Sequence, residues 1–137
     1  MPFPKLIASY LLTTLVFFAI DMVWLGFLAK GLYQKYLGGF LSDHVNWTAA
    51  ITFYLLFIIG IFVFVILPAV EKNSIVSALV LGAFFGFITY ATYDLTNLAT
   101  LKNWPLPIVY IDLAWGAVLT SLVSIAGYSI VKWINGL

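Results

Sequence analysis

The segment ITFYLLFIIGIFVFVILPAV, residues 51–70, decides the fold class of this chain. None of its 20 side chains carries a formal charge. An α-helix rises about 1.5 Å per residue, so a run of this length can cross the roughly 30 Å of hydrocarbon in a bilayer. Because hydrocarbon offers no partner to a free backbone N–H or C=O group, we predict that the segment forms a membrane-spanning helix.

Three more apolar runs of similar length indicate that the chain crosses the membrane four times. Of the 137 residues, 64% are hydrophobic and 8% are charged, and the mean hydropathy is +1.12. Soluble domains carry about 25% charged residues. We therefore predict an all-α integral membrane four-helix bundle that occupies residues 1–137 as a single transmembrane domain, with the lipid bilayer as its partner. The predicted spans are about residues 6–28, 47–70, 74–101 and 107–131.

The loops between the runs predict how the spans are arranged. Short loops at residues 71–74 and 102–107 force neighbouring spans to run antiparallel. The loop at residues 30–46 is longer and predicts a short interfacial helix between spans 1 and 2, which Gly38 and Gly39 would break. Its apolar face would consist of Leu32, Tyr33, Tyr36 and Leu37.

Small and aromatic residues add expectations about packing. Gly82 and Gly86 form the small-xxx-small motif GAFFG, which predicts that span 3 packs closely on a neighbour. Trp47 and Trp104 lie at span ends, where tryptophan commonly anchors a helix at the membrane interface. Pro68 is expected to end or kink span 2, because proline lacks a backbone N–H.

Three of the five acidic residues lie inside predicted spans. These are Asp21, Asp94 and Asp112, and two of them belong to the repeated pattern Ile-Asp-(Leu or Met)-x-Trp at residues 20–24 and 111–115. We call the side of the membrane that holds the N-terminus side A and the opposite side side B. Along an antiparallel path, all three carboxyl groups are predicted to lie roughly 7–11 Å in from side B.

Helical spacing groups further polar and aromatic side chains with these acids, since residues three or four positions apart share a helix face. Each pentad tryptophan could also simply donate its indole N–H to the aspartate of its own pentad. Asp43, His44 and Thr48 are expected at the mouth of the same layer. The predicted ligand-binding residues are Asp21, Trp24, Tyr90, Tyr93, Asp94, Asn97, Asp112 and Trp115.

The energetic cost of these acids favours a functional site. A charged aspartate near the bilayer centre costs about 2.5–3.5 kcal/mol, and no span contains a lysine or arginine to pair with it. Either some acids are protonated, or a cation is bound, or a basic side chain reaches in from the loops. The candidates for that third role are Lys30, Lys35, Lys102 and His44. Interhelical polar contacts contribute only about 0.6 kcal/mol each, so holding helices together is a weaker explanation.

Other classes of site find little support. A net charge of +1 without arginine argues against a nucleic-acid partner. Cysteine is absent, and no metal-ligand spacing, glycine-rich phosphate loop or nucleophile motif indicates a cofactor. A carboxylate site for Mg²⁺ or Ca²⁺ is a less favoured alternative. The cofactor and any enzymatic activity therefore stay open.

The chain resembles a known family through three segments. These are DMVWLGFL at residues 21–28, TYDLTNLATLKNWPL at residues 92–106 and DLAWG at residues 112–116. They are similar to the "domain of unknown function 2177" family of small bacterial membrane proteins with four spans. The resemblance implies a location in the bacterial inner membrane and supplies no established activity.

Three hypotheses about function follow. The first is a carboxylate-lined polar pocket in one leaflet that binds a small ligand, a cation or a proton. A transport role for it would require a homo-oligomer, because four helices leave little room for a pore. The second is a membrane enzyme that acts on a lipid or isoprenoid near its head group, with two carboxyl groups as acid and base. The third is a partner subunit or assembly factor of a membrane complex.

Overall fold

The computed structural model describes residues 1–137 and consists of helices joined by short loops. Four helices are long and apolar enough to cross a membrane, which confirms the predicted all-α four-span bundle. A short helix connects the first two spans, as the spacing of its leucine and tyrosine residues predicts. The helices are α1 (Phe3–Leu28), α2 (Leu32–Leu37), α3 (Trp47–Glu71), α4 (Ile75–Thr100) and α5 (Leu106–Asn135).

Local sequence explains where these helices begin and end. Asn46 and Ser74 precede α3 and α4, and each side chain accepts the backbone N–H of the residue three positions on, at 3.1 and 3.0 Å. Pro107 lies in the first turn of α5, where its missing N–H costs nothing. Gly136 ends α5 in the left-handed conformation with φ of 69°, which glycine adopts without strain.

Two spans contain a short stretch of wider, π-helical winding. In α3 this stretch covers Phe62–Ile66 and is followed by Pro68, and the helix then continues to Glu71. Pro68 therefore does not end the span, because the wider turn before it accommodates the pyrrolidine ring and the absent N–H. In α1 the π-helical stretch covers Trp24–Leu28, directly after Asp21, and such stretches are frequent at functional sites.

Helices α4 and α5 form the closest contact in the bundle, through the glycines of GAFFG. A Cβ atom placed on Gly86 would lie 2.0 Å from the carbonyl oxygen of Gly116. A Cβ atom on Gly82 would lie 2.6 Å from the hydroxyl oxygen of Ser124. Only residues without side chains allow the two backbones to approach so closely.

The apolar core fills the half of the bundle nearest side A and the middle of the membrane. Phe17 of α1, Ile61 of α3 and Leu119 of α5 are fully buried there. The wider turn and last residues of α3 pack against α4 and α5, but the first half of α3 makes few backbone contacts with either helix. The bundle is therefore closed toward side A and more open between α3 and α4 toward side B.

The glycine contact generates a stability prediction. In Gly86→Leu, the new side chain meets the backbone of Gly116, so we expect a loss of at least about 1–3 kcal/mol in the free energy of unfolding. The matched control is Gly26→Leu, because a Cβ atom on Gly26 meets nothing within 4 Å. Unfolding of the detergent-solubilised variants, followed by circular dichroism, measures both. Equal stability of the two variants would contradict the predicted packing.

Candidate polar site in the side-B half of the membrane

The three intramembrane acids are all buried in the protein. Their side chains come from α1, α4 and α5, and the exposed fractions of Asp21, Asp94 and Asp112 are 4%, 0% and 5%. The basic residues proposed to reach them, Lys30, Lys35, Lys102 and His44, are all exposed. The structure therefore does not support neutralisation of the acids by a loop lysine or histidine.

Asp94 and Asp112 face each other across the α4–α5 interface. Because Gly86 lies opposite Gly116, the 1.5 Å rise per residue places the backbone of Asp94 about 6 Å nearer side B than that of Asp112. Side chains on a helix tilt toward its N-terminus, so the two carboxyl groups of these antiparallel helices lean toward each other. The acids are thus staggered along the bundle rather than arranged in one flat layer.

The Asp94 carboxyl group has no hydrogen-bond partner at either oxygen. The indole N–H of Trp104 lies next to this carboxyl group and makes no hydrogen bond to any other group. Trp104 is buried by the rings of Tyr93 and Phe40, whose centroids lie 5.8 and 5.2 Å from its own. It therefore lies in the protein interior beside Asp94, although its position at a span end indicated only an interface anchor.

Neither pentad tryptophan bonds the aspartate of its own helix. The indole N–H of Trp115 donates to Asp21 over 3.3 Å, and that of Trp24 donates to the Tyr33 hydroxyl over 3.0 Å. The indole rings are stacked, with centroids 4.4 Å apart and planes 8° from parallel. The alternative in which each indole N–H satisfies the aspartate of its own pentad does not hold, although that of Trp115 does satisfy Asp21. Because the pentads face each other on antiparallel helices, the stacked rings direct their N–H groups away from their own aspartates.

Tyr33 of the short helix α2 borders the site on side B, and the sequence did not predict this position. Its hydroxyl donates to Asp112 over 2.7 Å, which links the short helix α2 to α5. Burial, followed by the hydrogen bond and charge of Asp112, raises the pKa of Tyr33 well above its usual value. The phenol therefore stays protonated and remains a donor. The sequence predicted only that Tyr33 lies on the apolar face of an interfacial helix.

Two adjoining cavities lie beside the acids, at the end where α3 stands away from α4. Tyr54 and Tyr90 line both cavities and form the partition between them. The larger cavity, about 400 Å³, is lined by Phe53, Tyr54, Thr89, Tyr90, Tyr93 and Asp112. The smaller, about 200 Å³, is lined by Asp21, Trp24, Leu25, Tyr33, Tyr54, Tyr90 and Trp115.

Most of the predicted residues therefore lie on or directly behind these cavities. Asp94 stands behind Asp112, whereas Asn97 lies beside Tyr93 and lines neither cavity. The contribution of α3 also differs from the expected one. The α3 residue that reaches the site is Tyr54, whose hydroxyl lies near Asp21.

The residues expected at the mouth of the layer do not line the cavities. Asp43, His44 and Thr48 are all exposed, and none of them lines either cavity. The backbone N–H of His44 bonds the hydroxyl oxygen of Ser42, which is part of a turn outside the bundle.

The residues that line this site determine the chemistry available to it. Two facing carboxyl groups without a basic partner can share a proton or hold a positively charged group. The surrounding tyrosine and tryptophan rings can stabilise a cation through their faces. No group of three His, Cys, Asp or Glu side chains is arranged to hold a metal ion. Toward side A the path is filled by fully buried side chains such as Phe17 and Val123.

The chain belongs to the family described as "Predicted membrane protein (DUF2177)", whose model matches residues 6–129. The match extends from the first turn of α1 almost to the end of α5, and it confirms the resemblance carried by the three segments. It identifies a multi-pass membrane protein and gives no activity. No curated protein and no solved structure matches the chain.

The role of Tyr33 can be tested with a pair of conservative variants. Tyr33→Phe leaves the Asp112 carboxyl group and the Trp24 indole without their partner, so we expect a loss of about 1–3 kcal/mol in the free energy of unfolding. Tyr36→Phe, on the same short helix, is the control, since Asp112 makes no hydrogen bond to it. Unfolding monitored by tryptophan fluorescence measures both losses. A similar small effect in both variants would show that the Tyr33 hydroxyl does not bind Asp112.

Proposed function

We propose that this protein binds a small cationic ligand or a proton in the side-B half of the membrane. The binding site would consist of Asp94, Asp112 and the adjoining aromatic cavity. The membrane would be the bacterial inner membrane, as the family resemblance implies. The observation that carries the proposal is the Asp94 carboxyl group, which is completely buried beside the carboxyl group of Asp112, with no basic side chain near either.

Electrostatics supports a positively charged occupant. Burial of an ionised carboxylate without a partner is strongly unfavourable, and a second carboxyl group close by adds repulsion. The nearest lysines point to solvent, so the protein itself supplies no balancing charge. A proton shared by Asp94 and Asp112, or a bound cation, removes both costs.

The cavity makes this charge accessible to a ligand. Asp112 is buried within the protein but forms part of the wall of the larger cavity, next to Tyr90 and Tyr93. A cation in this cavity can contact the Asp112 carboxylate and the tyrosine rings together. Because the polar wall ends halfway through the membrane, binding is the function proposed here. Transport would require a second copy of the chain to complete a path.

Infrared difference spectroscopy of the protein in lipid nanodiscs tests the proposal. We expect the carboxyl band of a buried acid to change on addition of at least one probe among protons, K⁺, Ca²⁺ and tetramethylammonium. The change should disappear in Asp94→Asn and in Asp112→Asn because each removes one of the facing carboxyl groups. Asp43→Asn, in an exposed loop, should retain it.

The controls make the outcome decisive. Thermal unfolding verifies that each variant is folded before its spectrum is interpreted. A wild-type protein whose carboxyl bands respond to none of the four probes would refute the proposal. A response that persists when Asp94 and Asp112 are both replaced by asparagine would refute it as well.

A further inference from the structure

We infer that the ligand is an amphiphile with an ammonium head group and an apolar chain, and that it reaches the acids sideways from the bilayer between α3 and α4. This inference rests on the proposed cation site and specifies its ligand class. The observation behind it is that an apolar groove on the outside of the bundle joins the aspartate-lined cavity.

Thr89 is the point where groove and cavity meet. The groove has a volume of about 320 Å³, and Thr89 lines both it and the larger cavity. From Thr89 the groove continues toward side A along α4 to Leu81, a distance of about 12 Å at the helical rise. The groove is lined by Phe64, Val65, Leu81, Phe84, Phe85, Ile88 and Thr89.

The spans α3 and α4 touch between the groove and the cavity. Phe85 packs over Gly60 and stacks on Phe57 with ring centroids 5.8 Å apart, and Thr89 is the residue that lines both sides of this contact. Nearer side B, the first half of α3 makes little contact with α4, and the cavity opens in that gap. A molecule dissolved in the bilayer can therefore place its polar end beside Asp112 without leaving the membrane.

The cavity wall selects the head group. Asp112 with Asp94 behind it provides negative charge, and the rings of Phe53, Tyr54 and Tyr90 provide faces for a cation. No basic side chain lines the cavity to balance the charge of a phosphate or carboxylate head group. An uncharged head group would leave the acids to be neutralised by a proton alone. An ammonium group matches both the charge and the aromatic wall.

A second apolar groove provides a comparison within the same protein. It lies between α1 and α3, has a volume of about 670 Å³, and is lined by ten hydrophobic residues. None of the three acids borders it. Any membrane lipid can occupy this larger groove, whereas only a chain attached to a positive head group gains from the groove beside Thr89.

Photolabelling in nanodiscs tests the inference. The probe is a dodecyltrimethylammonium derivative with a diazirine in its chain, and the labelled residues are mapped by mass spectrometry. We expect the labelling ratio of the α3–α4 groove to the α1–α3 groove to exceed that of the matched dodecanol probe by at least about tenfold. Asp112→Asn should remove this preference, because the gain depends on the charge of the head group.

A pair of variants tests the path itself. Thr89→Trp places a large ring where groove and cavity meet, and should abolish the preferential labelling. Thr92→Trp, on the exposed face one turn further along α4, should leave it unchanged because Thr92 lines neither the groove nor the cavity.

The possible outcomes separate this inference from the proposed function. If tetramethylammonium produces the Asp112-dependent infrared change but the long-chain probe shows no preference, the amphiphile inference is wrong and the cation site stands. If the dodecanol probe shows the same preference as the ammonium probe, the head-group assignment is wrong. If neither the infrared change nor the labelling preference depends on Asp112, both proposals fail.

Discussion

Two carboxyl groups that face each other inside the membrane impose the main constraint on this structure. Asp94 and Asp112 lie on antiparallel helices whose side chains lean toward one another, and no lysine or histidine approaches them. Burial and the neighbouring carboxyl group both disfavour two ionised acids, so the pair is stabilised by a shared proton or by a bound cation. The proposed binding of a proton or cation follows from this requirement.

The rest of the bundle holds that pair in place. The glycines Gly86 and Gly116 bring α4 and α5 into backbone contact, which sets the register of the two acids. The Tyr33 hydroxyl donates a hydrogen bond to Asp112 and accepts one from the Trp24 indole N–H, so the short helix α2 becomes part of the site. The stacked Trp24 and Trp115 rings join α1 to α5 at the same level. Dense packing toward side A then confines the cavity to one leaflet.

The architecture could be predicted from sequence alone because it depends on the average hydropathy of long segments. Four long uncharged runs and short loops determine four antiparallel spans, whatever the detailed side-chain packing. The position of each acid along its span also predicted that they would lie in the same half of the membrane. GAFFG identified the close helix contact because two glycines four residues apart lie on one helix face and let a neighbouring backbone approach.

The partners of the acids could not be predicted in the same way. Which side chain meets which acid depends on helix rotation and tilt, about which hydropathy carries no information. Trp115 bonds Asp21 of another helix and Trp24 bonds Tyr33 of the short helix α2, so neither follows the pairing expected from spacing within one helix. Tyr54 and Trp104 reach the site from a span without an intramembrane acid and from a loop, so no local pattern marks them.

A double-mutant cycle on Asp94→Asn and Asp112→Asn tests the central claim most directly. If the two carboxyl groups share one positive charge, their separate effects on the free energy of unfolding are coupled. The effect of the double variant should then differ from the sum of the single effects by more than about 0.5 kcal/mol. The cycle that pairs Asp94→Asn with Asp43→Asn should be additive. Additivity in both cycles would contradict the account, because it would mean that Asp94 and Asp112 do not interact.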